Sequence, residues 1–241
     1  RGGRIAQITF RQTDLLIDEP DGGGDPMRWG CYPMLPWAGR VRAGRFDFDG
    51  ATHQLPVGED GHAIHGVGYT SAWKVASHGD TQLELTLELP SDASWPFGGR
   101  ARQQITVDGD GLLLEISVTA GDNAFPVSFG WHPWFRKPDR LEFRPAAMYR
   151  RVDGVAVDER IDEPPGPWDD CFVNREAVRA KIGEVTVTLC SDCTDWVVYD
   201  EPSHATCIEP QSGPPDAFNI RPHILEPGQT ATRWYQLALT A

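Results

Sequence analysis

Gln82-Leu83-Glu84-Leu85-Thr86-Leu87-Glu88-Leu89 is the stretch whose reading decides the fold. Leucine at every second position, separated by Glu, Thr and Glu, has the two-residue period of a strand with one face buried and one in water, whereas a helix would scatter those leucines around its circumference. The pattern recurs on either side. Ile105 and Val107 lead into Asp108-Gly109-Asp110-Gly111, and Leu112, Leu114, Ile116 and Val118 lead out, so residues 101–120 read as a hairpin with both alternating runs half-buried. Phe46-Asp47-Phe48, the turn Asp49-Gly50 and Thr52 to Leu55 read as a smaller one. Val185, Val187 and Leu189 alternate, Trp196 to Tyr199 is a short apolar run, and Tyr235, Leu237 and Leu239 alternate toward the end. No ten-residue segment carries a helical period, and Asp216 to Asn219 is expected to give at most one turn. These observations predict an all-β fold, a large antiparallel β-sandwich, with residues 1–241 forming a single domain. Asp21-Gly22-Gly23-Gly24-Asp25-Pro26 and Glu163-Pro164-Pro165-Gly166-Pro167 are read as long loops, because strands of the same kind lie on both sides of each.

Composition narrows the function classes. With 35 acidic against 22 basic residues the formal charge is −13, which excludes a basic surface for the phosphate backbone of nucleic acid. No apolar run approaches the roughly 18 residues of a membrane span, and no charged segment followed by an apolar core marks a signal peptide. Five cysteines, an odd number, suit reduced thiols and a cytoplasmic location. The chain begins at Arg1 rather than methionine, so its extreme N-terminus is expected to be missing.

The chemistry concentrates in Phe129-Gly130-Trp131-His132-Pro133-Trp134-Phe135, which sets one ionisable group among four aromatic rings. An imidazole there loses hydration, which lowers its pKa unless a carboxylate restores the charged form. Pro133 holds His132 in extended backbone, and Glu209-Pro210 repeats the same grammar. Two proton-carrying side chains fixed in this way suggest an acid/base pair on neighbouring strands. Each has a plainer reading, a buried histidine bonded to a carbonyl and a surface Glu-Pro turn. Pro36-Trp37-Ala38-Gly39-Arg40 offers an aromatic plane beside a guanidinium, a combination suited to a polyhydroxylated ring. His62 and His65 stand at metal-pair spacing, but the flanking Gly61 and Gly66 mark a loop and no third ligand sits nearby. Cys190-x-x-Cys193 with His204-x-x-Cys207 has the ligand count of a zinc site. Against it, Cys190 continues an apolar alternation, and a small buried residue suffices two positions from Glu209. No metal and no cofactor are therefore expected.

Gly2-Gly3-Arg4-Ile5-Ala6, Pro36 to Arg40, His62 to Gly66, Gly130 to Phe135, Asp169-Asp170-Cys171-Phe172, and Cys207-Ile208-Glu209-Pro210 through Asp216-Ala217-Phe218-Asn219 occur in one order over nearly the whole chain. Together they resemble the aldose 1-epimerases, the mutarotases of the galactose mutarotase-like family. The resemblance implies a β-supersandwich that interconverts sugar anomers without metal or cofactor. It places Glu209 as general base, His132 as general acid and His65 as a second active-site histidine, with Arg40 and Asp170 at sugar-contacting positions. The chain departs from the family in its shorter length, in starting at the Gly-Gly pair, and in Trp134-Phe135 where many members have Tyr-Phe. An opening strand is accordingly expected to be absent or to lie outside this sequence.

Three other readings stay open on the sequence. A non-catalytic carbohydrate-binding module would keep Trp37, Arg40 and Asp170 without needing the acid/base pair. A glycoside hydrolase or lyase could set Asp170 and Glu209 about a glycosidic bond. A hexose-6-phosphate 1-epimerase could use Arg40, Arg42 and Arg45 for the phosphate.

Overall fold

The structure, a computed structural model, describes residues 2–241 and is almost wholly antiparallel β. Two sheets dominate. The eight-stranded sheet runs from edge to edge through Arg140–Glu142, Val178–Ile182, Val185–Ser191, Thr230–Thr240, Gly111–Thr119, Arg100–Asp108, Gln82–Glu88 and Lys74–His78. The seven-stranded sheet runs through Val155–Ile161, Ala147–Val152, Asp169–Val173, Asp195–Tyr199, Ala205–Gln211, Gly130–Arg136 and Cys31–Met34.

The alternating runs supply one face of the core. Leu87, Leu114, Ile116, Val118, Val187, Leu189, Tyr235 and Leu237 are buried from the eight-stranded sheet, and Trp131, Phe135, Trp196 and Ile208 meet them from the seven-stranded one. Water receives the alternate positions: Arg102 bonds Glu84 at 2.7 Å, and Ser117 bonds Thr232 at 2.9 Å across neighbouring strands. The long hairpin closes through a two-residue turn, since Asp108 pairs with Gly111 and Gly109 takes φ +57. The smaller hairpin turns at Asp49 (φ +50) and Gly50 (φ +73), the two left-handed residues of a type I′ turn.

Val107 departs from the half-buried reading of its run. It is 45% exposed, close to the turn that ends the hairpin. Helix is confined, among the described residues, to Ala217–Ile220 and a 3₁₀ turn at Arg42–Gly44.

Candidate active site

The strand Gly130–Arg136 is buried on both faces, and the period of two sorts its side chains. Trp131 and Phe135 enter the core between the sheets, while His132 and Trp134 face the other way into a cleft of about 890 Å³. The neighbouring strand Ala205–Gln211 behaves alike: Ile208 joins the core, and Glu209 and Gln211 line the cleft. Gly130 pairs with Gln211 and Trp134 with Cys207, which leaves His132 and Glu209 facing one another midway. The ladder is interrupted there, because Pro133 and Pro210 have no N–H to give it. Such close approach needs Gly130, where a Cβ would stand 2.1 Å from the carbonyl oxygen of Pro210.

His132 Nε2 lies 3.3 Å from Glu209 Oε1. Its ring is stacked between Tyr32, at 4.7 Å between centroids, and Trp134, at 5.5 Å. Tyr32 is its cross-strand partner, and Trp134 lies two residues along on the same face. His65 meets it edge-on, with centroids 5.0 Å apart and planes at 88°. The backbone of His65 is left-handed at φ +58, held by its N–H bonding to the carbonyl of Gly39 at 3.0 Å. Sequence positions 65, 132 and 209 therefore converge in one cleft.

Burial governs the protons. Loss of water holds His132 well below the usual histidine value, and neighbouring His65 and Arg4 add to the effect. Loss of water also drives Glu209 well above the usual carboxylate range, helped by the negative charge of Asp169. Gln211, whose Nε2 donates to Glu209 Oε2 at 3.2 Å, and the positive charge of Arg40 pull the other way. His65 is pushed down to about 3, chiefly by burial, so it serves as a neutral hydrogen-bonding group. Burial thus disfavours both the charged Glu209 and the charged His132 in the free cleft.

The expected binding residues divide. Arg40 lines the cleft with its Nε donating to Asp60 Oδ2 at 2.8 Å. Trp37 does not line it: this ring is 3% exposed and packs in the core 6.0 Å from Trp95, and the aromatic surface beside the pair belongs to Trp134. Asp170 reaches the cleft, but it pairs with Val198, which is buried in a cluster with Phe172 and Met148. Asp169 and Cys171 share the other face, opposite Tyr199 and Val197, and the charge felt by Glu209 is that of Asp169. Its carboxylate accepts from Arg151 Nη2 at 2.7 Å. Arg42 and Arg45 lie outside the cleft lining, and Arg42 donates to the carbonyl of Val152 at 3.1 Å.

The metal readings also meet the geometry. His62 Nδ1 accepts from the backbone N–H of Ala43 at 3.0 Å and does not act with His65. Cys190, Cys193, His204 and Cys207 do not assemble: among the described residues, the ligand atoms that gather within 4.8 Å are those of His132, Cys207 and Glu209. Burial raises both the Cys207 thiol and the Glu209 carboxyl above their ordinary values.

Sequence reading missed Tyr32, Gln211 and Asp169. Tyr32 had a signal, for Tyr32-Pro33, His132-Pro133 and Glu209-Pro210 repeat one dipeptide grammar on three adjacent strands. The loop read only as a connector contributes Asp21, Gly22, Gly23 and Asp25 to the cleft wall, and Arg28 follows just beyond it.

The sequence profile of the family described as Aldose 1-epimerase matches residues 1–238. Among curated proteins, the uncharacterized Escherichia coli K12 protein YphB is 32% identical over 136 residues, covering 55% of this chain and 46% of its own length. The uncharacterized YihR of the same organism is 24% identical over 257 residues, covering 90% and 80% respectively. The match thus spans about half of YphB and most of YihR. A galactose mutarotase-like protein from Clostridium acetobutylicum superposes with a TM-score of 0.86 at 16% identity over 99% of this chain and 90% of that one, a likeness of fold.

Proposed function

Since the chain belongs to the aldose 1-epimerase family, we propose that it interconverts the α and β anomers of an unphosphorylated aldose, with Glu209 and His132 as its acid/base pair. The observation that carries the reading is the 3.3 Å approach of Glu209 Oε1 to His132 Nε2 on the cleft floor. Ring opening removes the proton from the anomeric hydroxyl and adds one to the ring oxygen while the bond between C1 and that oxygen breaks. Both oxygens are bonded to the same carbon, so the acid and the base must stand side by side.

In the reacting form, Glu209 takes the hydroxyl proton and His132 gives its own to the ring oxygen. Rotation about C1–C2 turns the other face of the aldehyde toward the ring hydroxyl. On closure, His132 recovers its proton and Glu209 returns the one it took, so neither group is consumed. Gln211 and Arg40 favour the reacting form by stabilising the Glu209 carboxylate.

Polar atoms without partners in the fold suit a polyhydroxylated ligand: His65 Nδ1 and Gln211 Oε1 are both buried, and both residues line the cleft. The cleft's arginines are already paired, Arg28 with Asp25 at 3.2 Å, Arg40 with Asp60 at 2.8 Å and Arg151 with Asp169 at 2.7 Å. Acidic Asp21, Asp170 and Glu201 line the same cleft, so it favours a neutral sugar over a phosphorylated one.

The test is equilibration of pure anomers, followed by polarimetry or NMR exchange without added metal or cofactor, for glucose, galactose and their 6-phosphates. The wild type is expected to outpace buffer on the free sugars. Glu209→Gln keeps the shape and an acceptor but cannot take the proton, so kcat is expected to fall by about 10²- to 10⁴-fold with binding retained. Wild-type turnover in that variant removes the mechanism. Binding with no turnover in the wild type leaves a carbohydrate-binding module.

A further inference from the structure

Arg4 takes no part in the proton transfers, yet one aromatic ring links it to His132. We propose that Arg4 is a positioning residue for His132, acting through Tyr32: it clamps the ring on which the imidazole stacks and sets a permanent positive charge near it, so that a proton on His132 is readily given up. The inference rests on the epimerase reading and goes beyond it, by naming a residue outside the cleft on which the acid depends.

The guanidinium of Arg4 lies 4.1 Å from the centroid of the Trp29 ring and 4.8 Å from that of Tyr32. Tyr32 in turn stacks on His132, with centroids 4.7 Å apart and planes at 24°. Charge and imidazole are therefore at most about 9.5 Å apart, the two distances to the shared phenol ring laid end to end. Neither Arg4 nor Tyr32 lines the cleft, so Arg4 reaches the chemistry only through His132. Its place is built into the fold. Ile5 and Cys31 exchange backbone hydrogen bonds of 2.9 Å in both directions, which fixes the residue after Arg4 beside the strand that carries Tyr32. Gly30 leaves room for the stem, since a Cβ there would stand 2.9 Å from Cγ and Cδ of Arg4. The guanidinium donates from Nη2 to the carbonyl of Pro26 at 2.5 Å and from Nη1 to that of Trp29. Carbonyls accept these protons without cancelling the charge. Glu19 and Asp25 are the carboxylates whose charge Arg4 feels, and Asp25 is itself paired with Arg28 at 3.2 Å.

The titratable groups that face His132 are Glu209 on the neighbouring strand, Tyr32 and His65 against its ring, and Cys207 within 4.8 Å. Burial raises the Tyr32 phenol and the Cys207 thiol and lowers His65 to about 3, so these three are neutral near neutral pH. Burial is the first cause that holds His132 low; of the two bases that add to it, His65 and Arg4, only Arg4 keeps its charge there. Salt in bulk water screens charges beyond about 8 Å, but a phenol ring leaves no room for ions between these two. An acid whose charged form is disfavoured gives its proton more readily to the ring oxygen.

Arg4→Gln keeps an N–H donor for the carbonyls and removes the charge, whereas Arg4→Lys keeps the charge. NMR of the His132 imidazole in the ligand-free protein is followed from neutral pH down to the onset of acid unfolding. At the pH where about a tenth of wild-type His132 is charged, about half is expected to be charged in Arg4→Gln. The acid limb of kcat/KM on glucose or galactose is expected to move to higher pH with it, and Arg4→Lys is expected to restore the wild-type titration. Arg4→Met, whose stem still packs on Trp29, serves in its place should the glutamine variant not fold. An imidazole that titrates alike with and without the charge, or in neither protein, overturns the inference. Arg4→Lys moving as far as Arg4→Gln also overturns it, since the effect is then one of packing. Either result with sugars still equilibrated leaves the epimerase reading intact. Equilibration no faster than buffer in the wild type removes that reading instead, and the NMR comparison, which needs no sugar, still decides whether Arg4 governs the proton on His132.

Discussion

His132 and Glu209 sit too deep for either to carry its charge cheaply, and that fixes the expected pH dependence. The working pair holds one proton. Adding a second charges His132 and leaves no base; this happens only at low pH, because burial holds His132 well below the usual histidine value. Losing the only proton leaves no acid, and this requires a higher pH than an ordinary carboxylate does, because burial and Asp169 raise Glu209. kcat/KM is therefore expected to be bell-shaped, with limbs that belong to the pair rather than to either residue. Asp169→Asn removes a negative charge that raises Glu209, so the alkaline limb is expected to move to lower pH. Asp170→Asn is expected to leave that limb in place. A pH–rate series on the two variants checks the sign, and a limb that moves with Asp170 instead would return the role to that residue.

At the level of single strands, the same sheet position can serve packing or chemistry according to the face it takes. Gly130→Ala puts a methyl where the Pro210 carbonyl now approaches to 2.1 Å, so the two strands must part beside the reacting groups. About 1–3 kcal/mol of stability is expected to be lost, together with kcat. Ile116→Ala opens a cavity in the core layer of the other sheet and is expected to cost about 2–5 kcal/mol, with kcat of the folded protein unchanged. Ser117→Ala, one residue along on the solvent face, is expected to change stability by no more than about 0.5 kcal/mol. Urea denaturation with parallel kinetics separates the three. Equal effects of the Ile116 and Ser117 changes would contradict the register.

Over the whole molecule, two layers of aromatic side chains divide the labour, one between the sheets and one on the cleft floor. Trp37 belongs to the first layer with Trp95, and Trp134 to the second with His132 and Tyr32. Trp37→Phe is expected to lower Tm while KM for the preferred sugar stays within about twofold, since the lost contacts are core contacts. Trp134→Ala is expected to raise KM, because it strips an aromatic wall from the site. Thermal melts and saturation kinetics on both variants give the comparison. A raised KM in the Trp37 variant with an unchanged Tm would restore that ring to the sugar.

Sequence alone determined the local geometry. A period of two at Leu83 to Leu89, Leu112 to Val118 and Tyr235 to Leu239 is a statement about which face each residue takes, and a buried face compels antiparallel layers. Proline after His132 and after Glu209 likewise fixes backbone at its own position, so the extended, neighbouring pair was legible from the chain. Faces across distance were not. Whether Trp37 or Trp134 reaches the cleft, and whether Asp169 or Asp170 acts on Glu209, turns on strand parity relative to partners dozens of residues away, such as Tyr199 and Val198. The protonation of the pair is tertiary for the same reason: desolvation and the charges of Asp169 and Arg40 arise only when distant strands close over one site.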